Sequence, residues 1–241
     1  MAQQFGFVTH ERHRIIPTEV IEEAQADGDV TGLLLAGSVA RGDAGPSSDL
    51  DIYVLLRDGC ARAFRSEVRQ GLLVEYKSAD FARAHSQIER SPMEVYAYLT
   101  GRVLRDEGNR LAELTAFAHQ TFQSYKTPGE ERRGIRYWLQ SADIKVRAAL
   151  EAGEELKAAF IVGTTSWKML EGVWAVNDRP MPPSGGVKAH LADLTLQPPP
   201  EADWFARLFL GDTSARIETA LDLIGWLAPL LGDSDTDHEE Q

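Results

Sequence analysis

Apolar residues in the first half of the chain follow two spacings. Compact apolar runs predict buried strands at residues 32–36, 51–56 and 72–77, and a short fourth strand at 102–105. Helical spacing predicts helices at 18–26, 61–70, 78–87 and 91–99. Gly71 would end the second of these helices as a C-cap, and Ser78 would begin the third as an N-cap. The first half is therefore predicted to mix strands and helices.

From Arg110 onward the strand patterns stop. Helical spacing predicts helices at residues 111–124, 130–151, 154–176, 187–194, 201–210 and 213–231, with a Pro/Gly-rich segment at 179–186. We therefore expect an α/β domain at 1–125 and an all-α helical-bundle domain at 126–232. Residues 233–241 hold five acidic residues and no lysine or arginine, and they are predicted to be a disordered tail.

Composition narrows the classes of protein. The net charge is −12, from 37 acidic and 25 basic residues, whereas a protein that binds a long nucleic acid usually carries a basic face. An acidic surface favours cationic small substrates, although only by steering their approach. No apolar run reaches the length of a membrane span, and no secretory signal opens the chain. The single cysteine excludes an internal disulfide, so we expect a cytoplasmic protein.

Candidate chemistry lies in the segment between the first two strands. Asp49 and Asp51 are two residues apart at the head of a strand, so their side chains point to one face. Two carboxylates about 4 Å apart repel by roughly 4 kcal/mol at an effective dielectric near 20. A bound Mg²⁺ converts that repulsion into attraction. Gly37 and Ser38 offer backbone N–H groups and a hydroxyl to phosphate oxygens, and the P-loop and Rossmann glycine patterns are missing.

The segment GSVARGDAGPSSDLD, residues 37–51, matches without a gap the GSxxxGxxxxxSDxD pattern of the DNA polymerase β-like nucleotidyltransferase superfamily. It looks most similar to the minimal and antibiotic-modifying branches. The resemblance implies an α/β (α+β) nucleotidyltransferase domain with a small mixed sheet. It implies that Gly37 and Ser38 bind the phosphates of the nucleotide and that Asp49 and Asp51 bind the metal ion. It also implies a third carboxylate on the next strand, where Glu75 would be a metal ligand, a general base or both.

Three further residues are candidates for nucleotide binding. Arg41 and Ser48 lie within the same segment, and Lys188 follows the Pro/Gly-rich loop at the start of a short helix. The helical half resembles the C-terminal domains with which many such enzymes cover the nucleotide and hold the acceptor.

The implied function is Mg²⁺-dependent transfer of a nucleoside monophosphate to a hydroxyl of a small acceptor, with release of pyrophosphate. The donor would be ATP or another NTP, and the acceptor an aminoglycoside-like antibiotic. One alternative is a protein adenylyltransferase of the minimal, antitoxin type, whose acceptor is a protein partner. The other is a non-catalytic protein that senses nucleotide and binds a partner.

Overall fold

The computed structural model describes residues 6–198 and 203–232. Its helices and strands, in chain order, are α1 (Glu11–Ala26), β1 (Val30–Ala36), α2 (Gly37–Arg41), β2 (Leu50–Leu56), β3 (Arg65–Arg69), β4 (Leu72–Asp80), α3 (Phe81–Arg90), α4 (Val95–Thr100), β5 (Arg102–Asp106), α5 (Arg110–Ser124), α6 (Gly129–Glu151), α7 (Glu155–Val176), α8 (Val187–His190), α9 (Trp204–Leu210) and α10 (Thr213–Leu230). No helix among these residues is both long and apolar enough to cross a bilayer.

The described residues form two compact units. The first contains residues 6–124 and Pro182–His190, and the second contains Tyr125–Met181, 191–198 and 203–232. The sequence predicts residues 182–190 as part of the helical domain at 126–232. In the structure Val187 and His190 of this segment are buried, and the His190 ring packs on Tyr96 of α4 with 4.6 Å between centroids. These contacts explain why the segment is grouped with the first unit.

The first unit is built on one mixed sheet, as the resemblance implied, but the sheet has five strands where four were predicted. Its strand order is β3-β4-β2-β1-β5, with β2 and β4 parallel and the other neighbours antiparallel. The side chains of a strand alternate between faces, so the central strands β1 and β2 contribute to two cores. One core includes Leu33 and Ile52 and is covered by α1, whereas the other includes Leu34 and Leu55 and is covered by α3, α4 and α5. The strands predicted at 32–36, 51–56 and 102–105 are confirmed, each one or two residues longer.

The helix predicted at residues 61–70 is wrong. The structure has the edge strand β3 here, and a two-residue turn returns the chain antiparallel along β4. Gln70 and Gly71 both have positive φ, 51° and 79°, which is the backbone of the two-residue turns that fit the twist of a β-hairpin. Gly71 is therefore a hairpin residue and not a helix C-cap.

The starts of α1, α3 and α4 also differ from the prediction, and α4 begins at Val95 where a start at residue 91 was expected. Helix α1 begins at Glu11, seven residues before the expected start, and carries Pro17 in its interior. It buries Ile16 and Val20 against the sheet, and this burial outweighs the hydrogen bond that Pro17 cannot donate. Helix α3 begins at Phe81 because β4 continues through Ser78 to Asp80, whose side chain caps the helix by accepting from the Arg83 N–H.

The second unit is all helical in its described residues. The predicted helices at 130–151, 154–176 and 213–231 are confirmed as α6, α7 and α10, to within one residue at each end. Helix α9 begins at Trp204, with the Asp203 side chain capping it. The first two residues of the helix predicted at 201–210, and the acidic tail predicted at 233–241, lie outside the described residues.

Candidate active site

The predicted site residues, with one exception, line a single cavity of about 640 Å³ in the first unit. Those on its wall are Gly37, Ser38, Arg41, Ser48, Asp49, Asp51 and Glu75. A volume of this size is typical of a site for a small ligand. Lys188 is the exception, because its side chain is exposed and it is not among the lining residues.

Three carboxylates of the cavity share one face of the sheet. Asp51 of β2 is the direct register partner of Glu75 on the parallel neighbour β4, and Asp49 precedes Asp51 by two residues. Burial raises the pKa of the Asp51 carboxyl above its ordinary value, and the negative charges of Asp49 and Glu75 raise it further, against a lowering by Lys77. An ionised Asp51 is therefore costly until a cation offsets these charges.

Gly37 fixes the position of the Asp51 carboxylate. It is the first residue of α2 and has a φ of +68°, a left-handed conformation that favours glycine. A Cβ at this position would lie 2.3 Å from Asp51 Oδ2, so only a glycine lets the backbone approach the carboxylate this closely. Gly37 and the metal-ligand candidate Asp51, both from the sequence motif, thus lie against each other.

The loop before Asp49 is held by side chains from the start of α1. His10, Arg12 and His13 each donate to a backbone carbonyl of residues 44–48, over distances of 2.9 to 3.2 Å. The shortest of these bonds runs from His13 Nε2 to the carbonyl of Ser48, the residue before Asp49. His13 is fully buried, so this bond anchors the loop from beneath. Sequence reasoning could not find this role, because 34 and 35 residues separate His10 and His13 from the carbonyls that they contact.

Arg41 joins the cavity to a segment far away in sequence. Its guanidinium pairs with Asp43 at 3.2 Å and donates to the Gly185 carbonyl at 3.3 Å, which leaves its side chain 15% exposed. Residues 183–186 and His190 thereby form one wall of the cavity. No short-range pattern links residues 41 and 185, so sequence reasoning could not find this wall.

A hydrogen-bonded group lies next to the carboxylates on the same face. Tyr53 and Lys77 are register partners two residues beyond Asp51 and Glu75. Lys77 Nζ donates to the Tyr53 hydroxyl at 3.0 Å, and that hydroxyl donates to Glu94 Oε2 at 2.9 Å. Burial and the Glu94 charge raise the pKa of Tyr53 far above its ordinary value, so the phenol stays protonated. The sequence could have placed Tyr53 and Lys77 on this face, because each lies two residues after Asp51 or Glu75 on the same strand.

The donor set suits a hard divalent cation that arrives with its substrate. No group of three or more His, Cys, Asp or Glu side chains within residues 6–198 and 203–232 is arranged to hold a metal ion unaided. Mg²⁺, however, is usually bound by one or two carboxylates together with substrate phosphates and waters. The Asp49–Asp51 pair, one exposed and one half-buried, offers those two carboxylates. The residues present therefore fit Mg²⁺ held jointly with a nucleotide.

The segment that contains Gly37, the two aspartates and Glu75 matches a known protein family. Residues 17–103 match the family model of the nucleotidyltransferase domain, and these residues span β1, α2, β2 and β4. Residues 17–103 are thus identified as a nucleotidyltransferase domain, in agreement with the resemblance of residues 37–51.

The chain was also compared with solved structures and with curated protein sequences. Among solved structures, the chain is similar to a nucleotidyltransferase-like protein from Exiguobacterium sibiricum 255-15, at 14% identity and a TM-score of 0.41. That match covers 90% of this chain and 74% of the other. No curated protein sequence was found to match the chain.

Proposed function

We propose that the chain is an active nucleotidyltransferase that moves a nucleoside monophosphate from Mg²⁺-ATP, or another NTP, to a hydroxyl of an acceptor. The observation that carries the proposal is the placement of Asp51, which lies opposite Glu75 across the β2–β4 pair and against the backbone of Gly37. This juxtaposition supplies metal ligands, a candidate base and phosphate-binding backbone within one cavity.

Each group has a distinct task in the proposed reaction. Asp49 and Asp51 would hold the cation, which when bound offsets negative charge on the transferring phosphoryl group. The backbone and hydroxyl of Gly37 and Ser38 would bind the phosphates, with Ser48 and Arg41 nearby. Glu75 would accept the proton of the attacking hydroxyl. A bond then forms between the acceptor oxygen and the α-phosphorus, and the bond to pyrophosphate breaks.

The nature of the acceptor separates the remaining possibilities. A small hydroxyl compound, with an aminoglycoside as one example, is the proposal that follows from the resemblance of the motif. A protein hydroxyl is the alternative. A screen of pyrophosphate release with Mg²⁺-ATP tests both, with aminoglycosides, other small hydroxyl compounds and small proteins as acceptors. Tight nucleotide binding without pyrophosphate release for any acceptor would instead favour a nucleotide-sensing protein.

Replacing Glu75 with glutamine tests the role of the candidate base. We expect the transfer rate to fall by about 100-fold or more, which is the usual contribution of general-base catalysis. Nucleotide binding should be largely kept, since Asp49 and Asp51 remain. Single-turnover transfer and the affinity for α,β-methylene-ATP with Mg²⁺ give the two readouts. If Glu75→Gln loses both, Glu75 serves as a metal ligand and not as the base.

A further inference from the structure

A second cavity adjoins the carboxylate cavity along the same sheet face. It has a volume of about 430 Å³ and lies over the carboxyl-terminal halves of β2 and β4, beside α3. The two cavities share three lining residues, Tyr53, Lys77 and Glu94. This hydrogen-bonded group therefore forms the boundary between the two cavities.

The two cavities differ in the charged side chains of their lining. Four carboxylates line the first, against the cations Arg41 and Lys77. The second is lined by Arg62, Lys77 and Arg83 with Glu94 as the one acid, although Arg62 is paired with aspartates outside the lining. The net charge of −12 does not determine this local field, because charges are screened beyond about 8 Å at physiological ionic strength.

Arg83 is the cation that is available to a ligand. Arg62 is already bonded to Asp27 at 2.7 Å and also pairs with Asp29, and Lys77 is bonded to Tyr53. The guanidinium of Arg83 has no ion pair with any described residue, and its side chain is exposed on α3. A guanidinium in such a position binds carboxylate or phosphate through charge-assisted hydrogen bonds.

The spacing of the strand sets the length of a bridging ligand. Residues two apart on a strand are about 7 Å apart, so Lys77 lies about 7 Å beyond Glu75 and Ala79 about another 7 Å beyond Lys77. Both Lys77 and Ala79 line the second cavity. A hydroxyl beside Glu75 and an anionic group at the boundary near Lys77 would be about 7 Å apart, a distance that a phosphorylated or carboxylated sugar spans.

We propose that the second cavity is the acceptor subsite, and that it takes a small hydroxyl compound bearing an anionic group, a phosphate or a carboxylate. The inference rests on the proposed function, since it names the acceptor of the same reaction. The net charge of the chain favours a cationic acceptor, whereas this proposal names an anionic one. We give more weight to the side chains that line the cavity, because they would contact the acceptor directly.

Four probes that differ mainly in charge test the proposal. Binding of glucose, glucose 6-phosphate, glucuronate and glucosamine is measured by calorimetry, with the nucleotide site saturated by Mg²⁺ and α,β-methylene-ATP. At least one of the two anionic sugars should bind about tenfold or more tightly than glucose, as a charge-assisted hydrogen bond allows. Glucosamine should bind no more tightly than glucose. Comparison of glucose 6-phosphate with glucuronate distinguishes phosphate from carboxylate.

A matched pair of variants on α3 assigns the effect to the cavity. Arg83→Gln should remove the advantage of the anionic probe, whereas Arg90→Gln, an exposed arginine outside the cavity lining, should keep it. Melting temperature and nucleotide affinity of both variants check their folding. The proposal is overturned if neither anionic sugar binds better than glucose, if glucosamine binds best, or if the two variants behave alike. Failure of the wild-type protein to bind the Mg²⁺-nucleotide would instead reject the proposed function.

Discussion

Replacing Asp51 with asparagine should abolish pyrophosphate release and, at the same time, stabilise the metal-free protein. The transfer rate should fall by at least about 1000-fold, since a metal ion contributes several kcal/mol to transition-state stabilisation. The melting temperature should rise by about 2 °C for each kcal/mol of relieved repulsion. The physical reason is that Asp51 is half-buried beside Asp49 and Glu75, so its charge is costly without a cation.

The pH dependence of this stabilisation follows from the raised pKa of Asp51. Above that pKa the wild-type protein carries the unfavourable charge and Asp51→Asn is the more stable protein. As the pH falls through the raised pKa toward the ordinary value of an aspartate, the wild-type carboxyl is neutralised in the folded state. The advantage of the asparagine variant should then disappear. Melting curves of the two proteins across the acidic range measure this difference.

Two further measurements make the Asp51 prediction specific. Mg²⁺ with α,β-methylene-ATP should raise the melting temperature of the wild-type protein and not that of Asp51→Asn. Asp58→Asn is the control, because Asp58 is an exposed aspartate whose partner is Arg110 and which lies outside the carboxylate cavity. Unchanged turnover in Asp51→Asn would reject its assignment as a metal ligand. A lower melting temperature would reject the argument from charge repulsion.

The sequence predicted the part of the site that is continuous along the chain. Gly37, Asp49 and Asp51 belong to one segment of 15 residues, and the two-residue period of a strand was enough to place the aspartates on one face. The placement of Glu75 beside Asp51 could not be predicted from one segment alone. It depends on the register of two parallel strands, which the sequence does not specify and which the structure gives as Asp51 opposite Glu75.

Two other features could not be predicted from the spacing of apolar residues. Residues 61–70 have the composition of a helix. Gln70 and Gly71, however, form a tight turn with positive φ values, and this turn pairs residues 65–69 with β4 as an edge strand. Glu94 reaches Tyr53 from a turn that is separated from β2 by two further strands and a helix. A bond between residues 41 apart leaves no trace in the local spacing of apolar residues. For this reason the sequence did not predict the boundary between the two cavities.

Replacing Gly37 with alanine should reduce transfer by about 100-fold or more, because a misplacement of about 1 Å in a catalytic group can cost that much. The added Cβ would lie 2.3 Å from Asp51 Oδ2, well inside van der Waals contact. The carboxylate is the end of a short side chain, so it can rotate away and relieve the clash. The cost should therefore fall mainly on metal and nucleotide binding, which α,β-methylene-ATP titrations with Mg²⁺ measure directly.

Gly59→Ala separates this clash from ordinary backbone strain. Gly59 has a φ of +81°, close to the +68° of Gly37, and a Cβ there would meet no atom within 4 Å. An alanine in a left-handed conformation costs about 1–2 kcal/mol, so the free energy of unfolding should fall by a similar amount in both variants. We expect only Gly37→Ala to lose nucleotide binding and transfer. Equal activity in the two variants would mean that close approach of this glycine to Asp51 does not position the carboxylate for the reaction.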